Sequence, residues 1–243
     1  MSSSVPPVAP PSHWPNAIRL NSASSVFLAS GALVSLPVFV QAPLVRNAPW
    51  VSLVLTLAWL GVSLHMMSLR STRLWGSLCY GFTLTWLAGS LYWGWLRTEP
   101  LWHIPVEALA LPLAVYGLWR GFARVGNYFF MGSLFGTAIT DLYIHTVRLL
   151  PEWRTAMQPQ ASDVVLAGAM QNAMEKMQAP VGLWTAAVLG LVLLVVGAWG
   201  LALGRDRQGF NHLHWWAFSG AVLCTLVVDG LFGLGAWVQS GMM

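Results

Sequence analysis

Long apolar runs recur along almost the whole chain, and each is about as long as the hydrocarbon core of a bilayer is thick. A transmembrane α-helix needs roughly twenty apolar residues, because each residue advances the helix by about 1.5 Å. Seven runs approach that length, at residues 26–45, 51–69, 74–96, 104–119, 127–150, 181–203 and 213–239. They predict an all-α fold, a polytopic membrane bundle of about seven transmembrane helices.

Charged residues are scarce, and the basic ones are scattered. Of the 243 residues, 56% are hydrophobic and only 8% are charged, which excludes a soluble domain of this length. The 12 basic residues occur singly or in pairs, mostly between the apolar runs. Nucleic-acid binding is excluded as well, because there is no basic stripe. The lipid bilayer is the first expected partner, and the two cysteines, which lie within apolar runs, are assigned no redox role.

The arginines between the runs predict an orientation, because cytoplasmic loops carry an excess of Lys and Arg. Alternate breaks, together with the N-terminal segment, hold Arg19, Arg70, Arg73, Arg120, Arg124, Arg205 and Arg207. The opposite short breaks hold only Arg46 and Arg97. The N-terminus is therefore expected in the cytoplasm and the C-terminus in the lumen or periplasm.

Two segments fall outside the runs. Residues 1–25 are rich in Pro and Ser, so they are expected to form a disordered cytoplasmic tail before a transmembrane domain over residues 26–243. No cleavable signal peptide is expected. Residues 151–180 are predicted to form a non-cytoplasmic, amphipathic, interfacial connector, whose helix is capped by Ser162 and Asp163 and stopped by Pro180.

One face of the connector helix is rich in methionine. It consists of four residues at helical spacing, Leu166, Met170, Met174 and Met177. Such a flexible apolar face can adapt to a partner protein or to an apolar ligand. An amphipathic helix lying on the membrane surface explains the same pattern, and this interpretation is favoured.

Two pairs of histidine and carboxylate interrupt the apolar runs. His103 precedes Glu107 by four residues, and Asp141 precedes His145 by four. Residues four apart share one face of a helix. Ionisable side chains within a membrane segment cost free energy unless they are partnered, and they commonly mark functional sites.

Both pairs are expected in the non-cytoplasmic half of the membrane. If the two helix faces meet, the four side chains form one polar cluster, with Asp229 at similar depth. Imidazole and carboxylate together suit a divalent metal, so His103, Glu107, Asp141 and His145 are candidate metal ligands. Chains of carboxylate and histidine also relay protons. The spacing does not specify a cofactor, because di-iron sites use Glu-x-x-His pairs and these residues are four apart.

Structural roles explain the same residues without a site. Pro105 is suited to the first turn of a helix, which places Glu107 where a carboxylate caps free backbone amides. Asp141 and His145 can neutralise each other, or pair with Arg148 near the interface. The sequence leaves these alternatives open.

Three stretches resemble a cyanobacterial family of multi-pass membrane proteins that carries a domain-of-unknown-function label. They are SLPVFVQAPLVRNAPW at 35–50, SLYWGWLRTEPLWHIPVEALALPLA at 90–114 and GTAITDLYIHTVRLLPEWR at 136–154. The resemblance extends from about Val26 to the C-terminus. It implies the thylakoid or plasma membrane of a cyanobacterium and a role near photosynthesis. The family has no established catalytic residues to assign to this chain.

Two functions from different classes remain. The first is a non-catalytic auxiliary or assembly factor for a photosynthetic or related membrane protein complex, which fits the methionine face and the lack of recognised catalytic motifs. The second is a membrane enzyme or transporter that uses His103, Glu107, Asp141 and His145 to bind a metal or transfer protons. The first is preferred narrowly, because the second requires the two helix faces to converge. Whether the chain is an enzyme is left open.

Overall fold

The computed structural model describes residues 16–158, 162–205 and 212–239, and within these ranges the chain is helical and contains no strand. The expected all-α class is thereby confirmed. Five helical segments are long and apolar enough to cross a membrane: Ser22–Asn47, Pro49–Ser68, Pro100–Trp119, Pro180–Gly204 and Leu213–Gly235. These are the segments of an integral membrane protein.

The first membrane segment changes its helical pattern partway along. α1 is Asn16–Leu36, a first π-helical turn follows at Pro37–Gln41, and α2 is Ala42–Asn47. Pro37 cannot donate a backbone hydrogen bond, which explains why the α-helical pattern is interrupted there. Residues 16–25 of the expected tail are thus helical, and residues 1–15 of it lie outside the described residues.

The next segments lead to the candidate site. α3 is Pro49–Ser68, and α4, Arg73–Leu91, continues into a second π-helical turn at Tyr92–Leu96. An irregular segment then comprises a 3-10 turn at Pro100–Trp102, α5 at His103–Glu107, a 3-10 turn at Ala108–Ala110 and α6 at Leu111–Trp119. Pro112 lies in the first turn of α6, where its missing N–H costs no helical hydrogen bond. The helix is therefore interrupted just before this proline.

The remaining helices form the second half of the chain. They are α7 at Arg124–Thr146, α8 at Leu150–Met157, α9 at Asp163–Gln178, α10 at Pro180–Gly204 and α11 at Leu213–Gln239. The connector between α7 and α10 thus holds two helices, where the sequence indicated one. Ser162 caps α9 as expected, since its Oγ accepts a hydrogen bond from the Val165 amide at 3.4 Å.

α4 and α7 form the centre of the bundle. α4 packs against α3 and α7, and α7 also packs against α11. The buried surfaces of the two central helices include polar side chains, among them Ser77, Thr83, Ser90 and Asn127. A helix that is surrounded by protein need not be apolar on every side. This explains why neither α4 nor α7 is among the five most apolar segments.

Two glycines allow α4 and α7 to cross closely. The Gly126 amide donates a hydrogen bond to Ser77 Oγ at 3.1 Å. A Cβ atom on Gly126 would overlap the backbone carbonyl of Ser77, and one on Gly81 would overlap the backbone of Gly126. Small residues let membrane helices approach in this way. The crossing sets the position of the rest of α7 relative to α4.

The methionine face of α9 is turned toward the rest of the protein. Met174 is buried, and Leu166, Met170 and Met177 are half-buried. α9 packs against α8 and α10. Met177 also packs against the apolar cluster at the end of α7 that contains Ile144. Contacts within the protein therefore occupy most of this face.

Candidate functional site

His103 lies between two carboxylates. Its Nδ1 is 2.9 Å from Asp141 Oδ1, and its Nε2 is 3.3 Å from Glu107 Oε1. These three residues, called the His103 triad below, have side chains that are between 8% and 16% exposed. They come from α5 and α7, so the two helix faces that carry His103 and Asp141 do converge.

Local backbone geometry brings the triad together. Pro100 opens the 3-10 turn that follows the second π-helical turn, and α5 begins immediately afterwards at His103. Glu107 lies one turn further along α5. Asp141 lies opposite because α7 packs against both α4 and α5. At the rise of a helix, His103 and Glu107 are roughly 5 to 10 Å from the end of their segment at Pro100.

Aromatic rings enclose His103. Tyr92, the first residue of the second π-helical turn, stacks on the imidazole with 4.1 Å between ring centroids and 19° between planes. Trp93 meets the imidazole edge to face at 6.1 Å, and Trp153 of α8 packs against Trp93 at 5.8 Å. Sequence reasoning did not single out these three rings, because aromatic residues in a membrane helix are ordinary. The available signal was the dense aromatic stretch YWGW shortly before His103.

The other two candidate residues lie outside the triad. His145 Nδ1 donates a hydrogen bond to the backbone carbonyl of Asp141, at 2.7 Å within the same helix. Asp229 of α11 accepts a hydrogen bond from Thr140 Oγ1 at 2.8 Å. Because consecutive residues of a helix point in different directions, Asp229 approaches a different face of α7 from the face that carries Asp141.

The structural roles considered for the two carboxylates differ from their observed contacts. Glu107 is the last residue of α5, so it is not placed to cap the first turn of that helix. The carboxylate of Asp141 contacts His103, and His145 contacts only its backbone carbonyl. The interaction between α5 and α7 therefore replaces the expected pairing within α7.

The contacts of the triad favour proton exchange over metal binding. Within the part of the chain that the structure describes, no group of three or more His, Cys, Asp or Glu side chains is arranged to hold a metal ion. Nδ1 faces one carboxylate and Nε2 faces the other, on opposite sides of the ring. A metal bound to one ring nitrogen would thus be reached by one carboxylate only. Direct contact between ring nitrogens and carboxylates is instead suited to proton transfer.

α8 is attached to the segment that carries the triad. The indole N–H of Trp153 donates to the Arg97 carbonyl at 2.9 Å, directly after the second π-helical turn. Arg154 forms an ion pair with Glu99 at 2.9 Å, and both side chains are nearly half exposed. Glu152 pairs with Lys176 of α9 at 2.7 Å. α8 thus lies at the surface end of the site.

A second polar network is buried between the first π-helical turn, α3 and α4. Gln41 Nε2 donates to the Trp86 carbonyl at 2.6 Å and to Ser90 Oγ at 2.8 Å. The hydroxyl oxygens of Ser90 and Ser52 are 2.7 Å apart, and Gln41, Ser52 and Ser90 are fully buried. These groups are neutral, and they join three helical segments by hydrogen bonds. We assign the network a structural role.

A family model described as a protein of unknown function (DUF3120) matches residues 30–237. This confirms the expected kinship with a domain-of-unknown-function family. No curated protein and no solved structure matches the chain.

Proposed function

Because this chain belongs to the DUF3120 family, whose description names no activity, we propose a function from the geometry of the His103 triad. The protein takes up and releases protons at this triad, in a transport or enzymatic step that is linked to proton transfer. One observation carries the proposal: both ring nitrogens of His103 face carboxylates, and the carboxylates come from two different helices.

The triad contains three groups that each gain or lose one proton. With both carboxylates ionised and the imidazole protonated, its net charge is −1, and uptake of one further proton makes it neutral. Such a change is strongly felt in a site that is largely shielded from water, because charges interact more strongly in surroundings of low dielectric constant. Coupling between protonation and the surrounding helices is the property that a proton-linked membrane protein needs.

Proton flux into liposomes tests the proposal. Full-length protein is reconstituted with an enclosed pH-sensitive dye, and a potassium gradient with valinomycin drives proton entry. We expect His103→Asn and Asp141→Asn to lower the protein-dependent flux by at least about tenfold, the scale of a lost proton-transfer group. Asp163→Asn, an exposed carboxylate at the start of α9, is the matched control and should leave the flux unchanged.

A coupled transporter passes few protons without its substrate, so the ionisation of His103 is measured as well. Protein labelled with ¹⁵N-histidine in lipid nanodiscs gives the protonation state of the ring by NMR. A His103 ring that keeps one protonation state from about pH 4 to about pH 10 would contradict the proposal. So would a stoichiometric metal in the purified protein that is lost in His103→Asn.

We further propose that all seven predicted passes cross the membrane. The two passes beyond the five apolar segments are α4 with its π-helical turn and α7, and their burial by neighbouring helices removes the need for apolar surfaces. At 1.5 Å per residue, the 23 residues of α7 extend roughly 35 Å, enough to span a bilayer core. The arginine distribution supports a cytoplasmic N-terminus and a non-cytoplasmic C-terminus, which places the triad near the non-cytoplasmic face.

A second candidate function is an auxiliary or assembly factor for a membrane protein complex, in the thylakoid or plasma membrane of a cyanobacterium. The resemblance to a cyanobacterial family supports it, and so does the low burial of α3 and α10, whose most apolar windows are each only 17% buried. The methionine face of α9 does not support it, because contacts within the protein occupy that face. Co-purification of a photosynthetic complex in mild detergent would favour this candidate, and its absence would disfavour it.

A further inference from the structure

The hydroxyl of Tyr92 is buried and has no hydrogen-bond partner among the described residues. The residue has no exposed surface, and its ring is fixed by the parallel stack on His103. The indole N–H of neighbouring Trp153 is already donated to the Arg97 carbonyl. A buried hydroxyl without a partner is costly, so a group that hydrogen-bonds to it is expected at this position.

The surroundings of this hydroxyl indicate which group that is. Tyr92 interacts electrostatically with the carboxylates of Asp141 and Glu107 in the triad, and also with Glu99. Glu99 is about half exposed and pairs with Arg154 at the surface. Arg97, the other nearby cation, directs its guanidinium to the Trp93 carbonyl at 3.4 Å. Tyr92 therefore lies between the buried triad and an exposed carboxylate.

We propose that the Tyr92 hydroxyl holds a water molecule that carries protons between the His103 triad and Glu99. The inference deepens the proposed function and rests on it. A hydroxyl both donates and accepts hydrogen bonds, and a buried water makes two to four of them. Tyr92 is thus a positioning residue, which acts through the water that it holds.

Each transfer step conserves protons. One O–H bond breaks at a protonated carboxyl of the triad and one O–H bond forms on the water. The water then releases one of its protons toward the Glu99 carboxylate. Tyr92 is neutral before and after the step, and no oxidant or other reactant is consumed.

The experiment measures how fast the ring protons of His103 exchange with solvent. Full-length protein labelled with ¹⁵N-histidine is placed in lipid nanodiscs, and the His103 resonances are identified by their loss in His103→Asn. We expect Tyr92→Phe, which keeps the stacked ring and removes only the hydroxyl, to slow this exchange by about tenfold or more. Tyr80→Phe is the matched control, because Tyr80 is on the same helix and contacts Phe122, away from the triad.

Two further measurements make the outcome decisive. Glu99→Gln should slow the exchange as Tyr92→Phe does, and an unchanged rate in either variant would overturn the route. A merely structural role of Tyr92 would lower the melting temperature of Tyr92→Phe and leave the exchange rate unchanged, which also overturns it. Failure of the proposed function is seen separately, as the absence of protein-dependent proton flux and of any ionisation of His103 in the unmodified protein.

Discussion

His103 Nδ1 and Asp141 Oδ1 are 2.9 Å apart, although the two residues are separated by 38 positions in the chain. This contact joins α5 to α7 at the place where the irregular α5–α6 segment meets the centre of the bundle. The second contact of His103, with Glu107, lies within α5 and joins no further helix. The two carboxylates of the triad therefore differ in what they hold together.

Asp141→Asn and Glu107→Gln should differ in their effects on stability. Asp141→Asn weakens the interaction between α5 and α7, and we expect a loss of about 1 to 3 kcal/mol in the free energy of unfolding. Glu107→Gln weakens a contact within one helix, and we expect a loss below about 1 kcal/mol. Unfolding in mixed micelles with increasing denaturing detergent measures both. Equal losses would show that the contact between helices has no special weight.

His145→Gln should leave proton flux within about twofold of the unmodified protein, since this histidine bonds to a backbone carbonyl and has no contact with the triad carboxylates in the described structure. Gln keeps a side-chain donor for that carbonyl. The liposome assay with the enclosed dye measures the flux. A loss as large as that of His103→Asn would place His145 in the proton route and refute the assignment of three residues to the site.

Gly126→Ala should disrupt the crossing of α4 and α7. The new methyl group would overlap the Ser77 carbonyl, so the helices must separate, at a cost of about 1 to 3 kcal/mol. Gly230→Ala is the matched control, because no atom lies within 4 Å of the position that its Cβ would take. There the alanine should be neutral or slightly stabilising. Melting temperatures in detergent compare the two variants, and similar values would contradict the close crossing.

Cysteine labelling tests the proposed orientation. In a background with Cys79→Ala and Cys224→Ala, single cysteines replace Ser71 and Gln158, which are both exposed and are separated by three proposed passes. A membrane-impermeant maleimide should label Gln158→Cys in intact bacterial cells and Ser71→Cys only after the cells are permeabilised. Labelling of both from the same side would rule out three crossings between them, and the reverse pattern would invert the orientation.

The fold class and the residues of the triad could be predicted from the sequence, but the contacts among them could not. Helical spacing placed His103 beside Glu107 and Asp141 beside His145, because neighbours on one helix follow from periodicity alone. The contact between His103 and Asp141 depends on how α5 and α7 are positioned, and that depends on the glycine crossing and on the 3-10 turn at Pro100. Tyr92 was missed for a related reason: its role appears only when its ring lies against His103.

The membrane passes show the same division between local and tertiary information. The apolar segments that face outward were predictable, since lipid requires apolar surface along their length. α4 and α7 carry buried polar residues such as Ser90 and Asn127, because neighbouring helices replace lipid around them. The methionine face of α9 was assigned to the membrane surface, and its contacts are instead largely with the protein, because amphipathicity alone does not identify what covers an apolar face.

The two π-helical turns make the register of the chain sensitive to single-residue deletions. A π-helical turn holds about one residue more than an α-helical turn, so Pro37–Gln41 and Tyr92–Leu96 each behave as a one-residue insertion in an otherwise regular helix. Deleting one residue from Tyr92–Leu96 would allow a regular α-helix to form there, and every following residue of that helix would rotate by about 100°. The chain would then reach Pro100 pointing in another direction. A deletion there would thus misplace His103 without altering any residue of the triad.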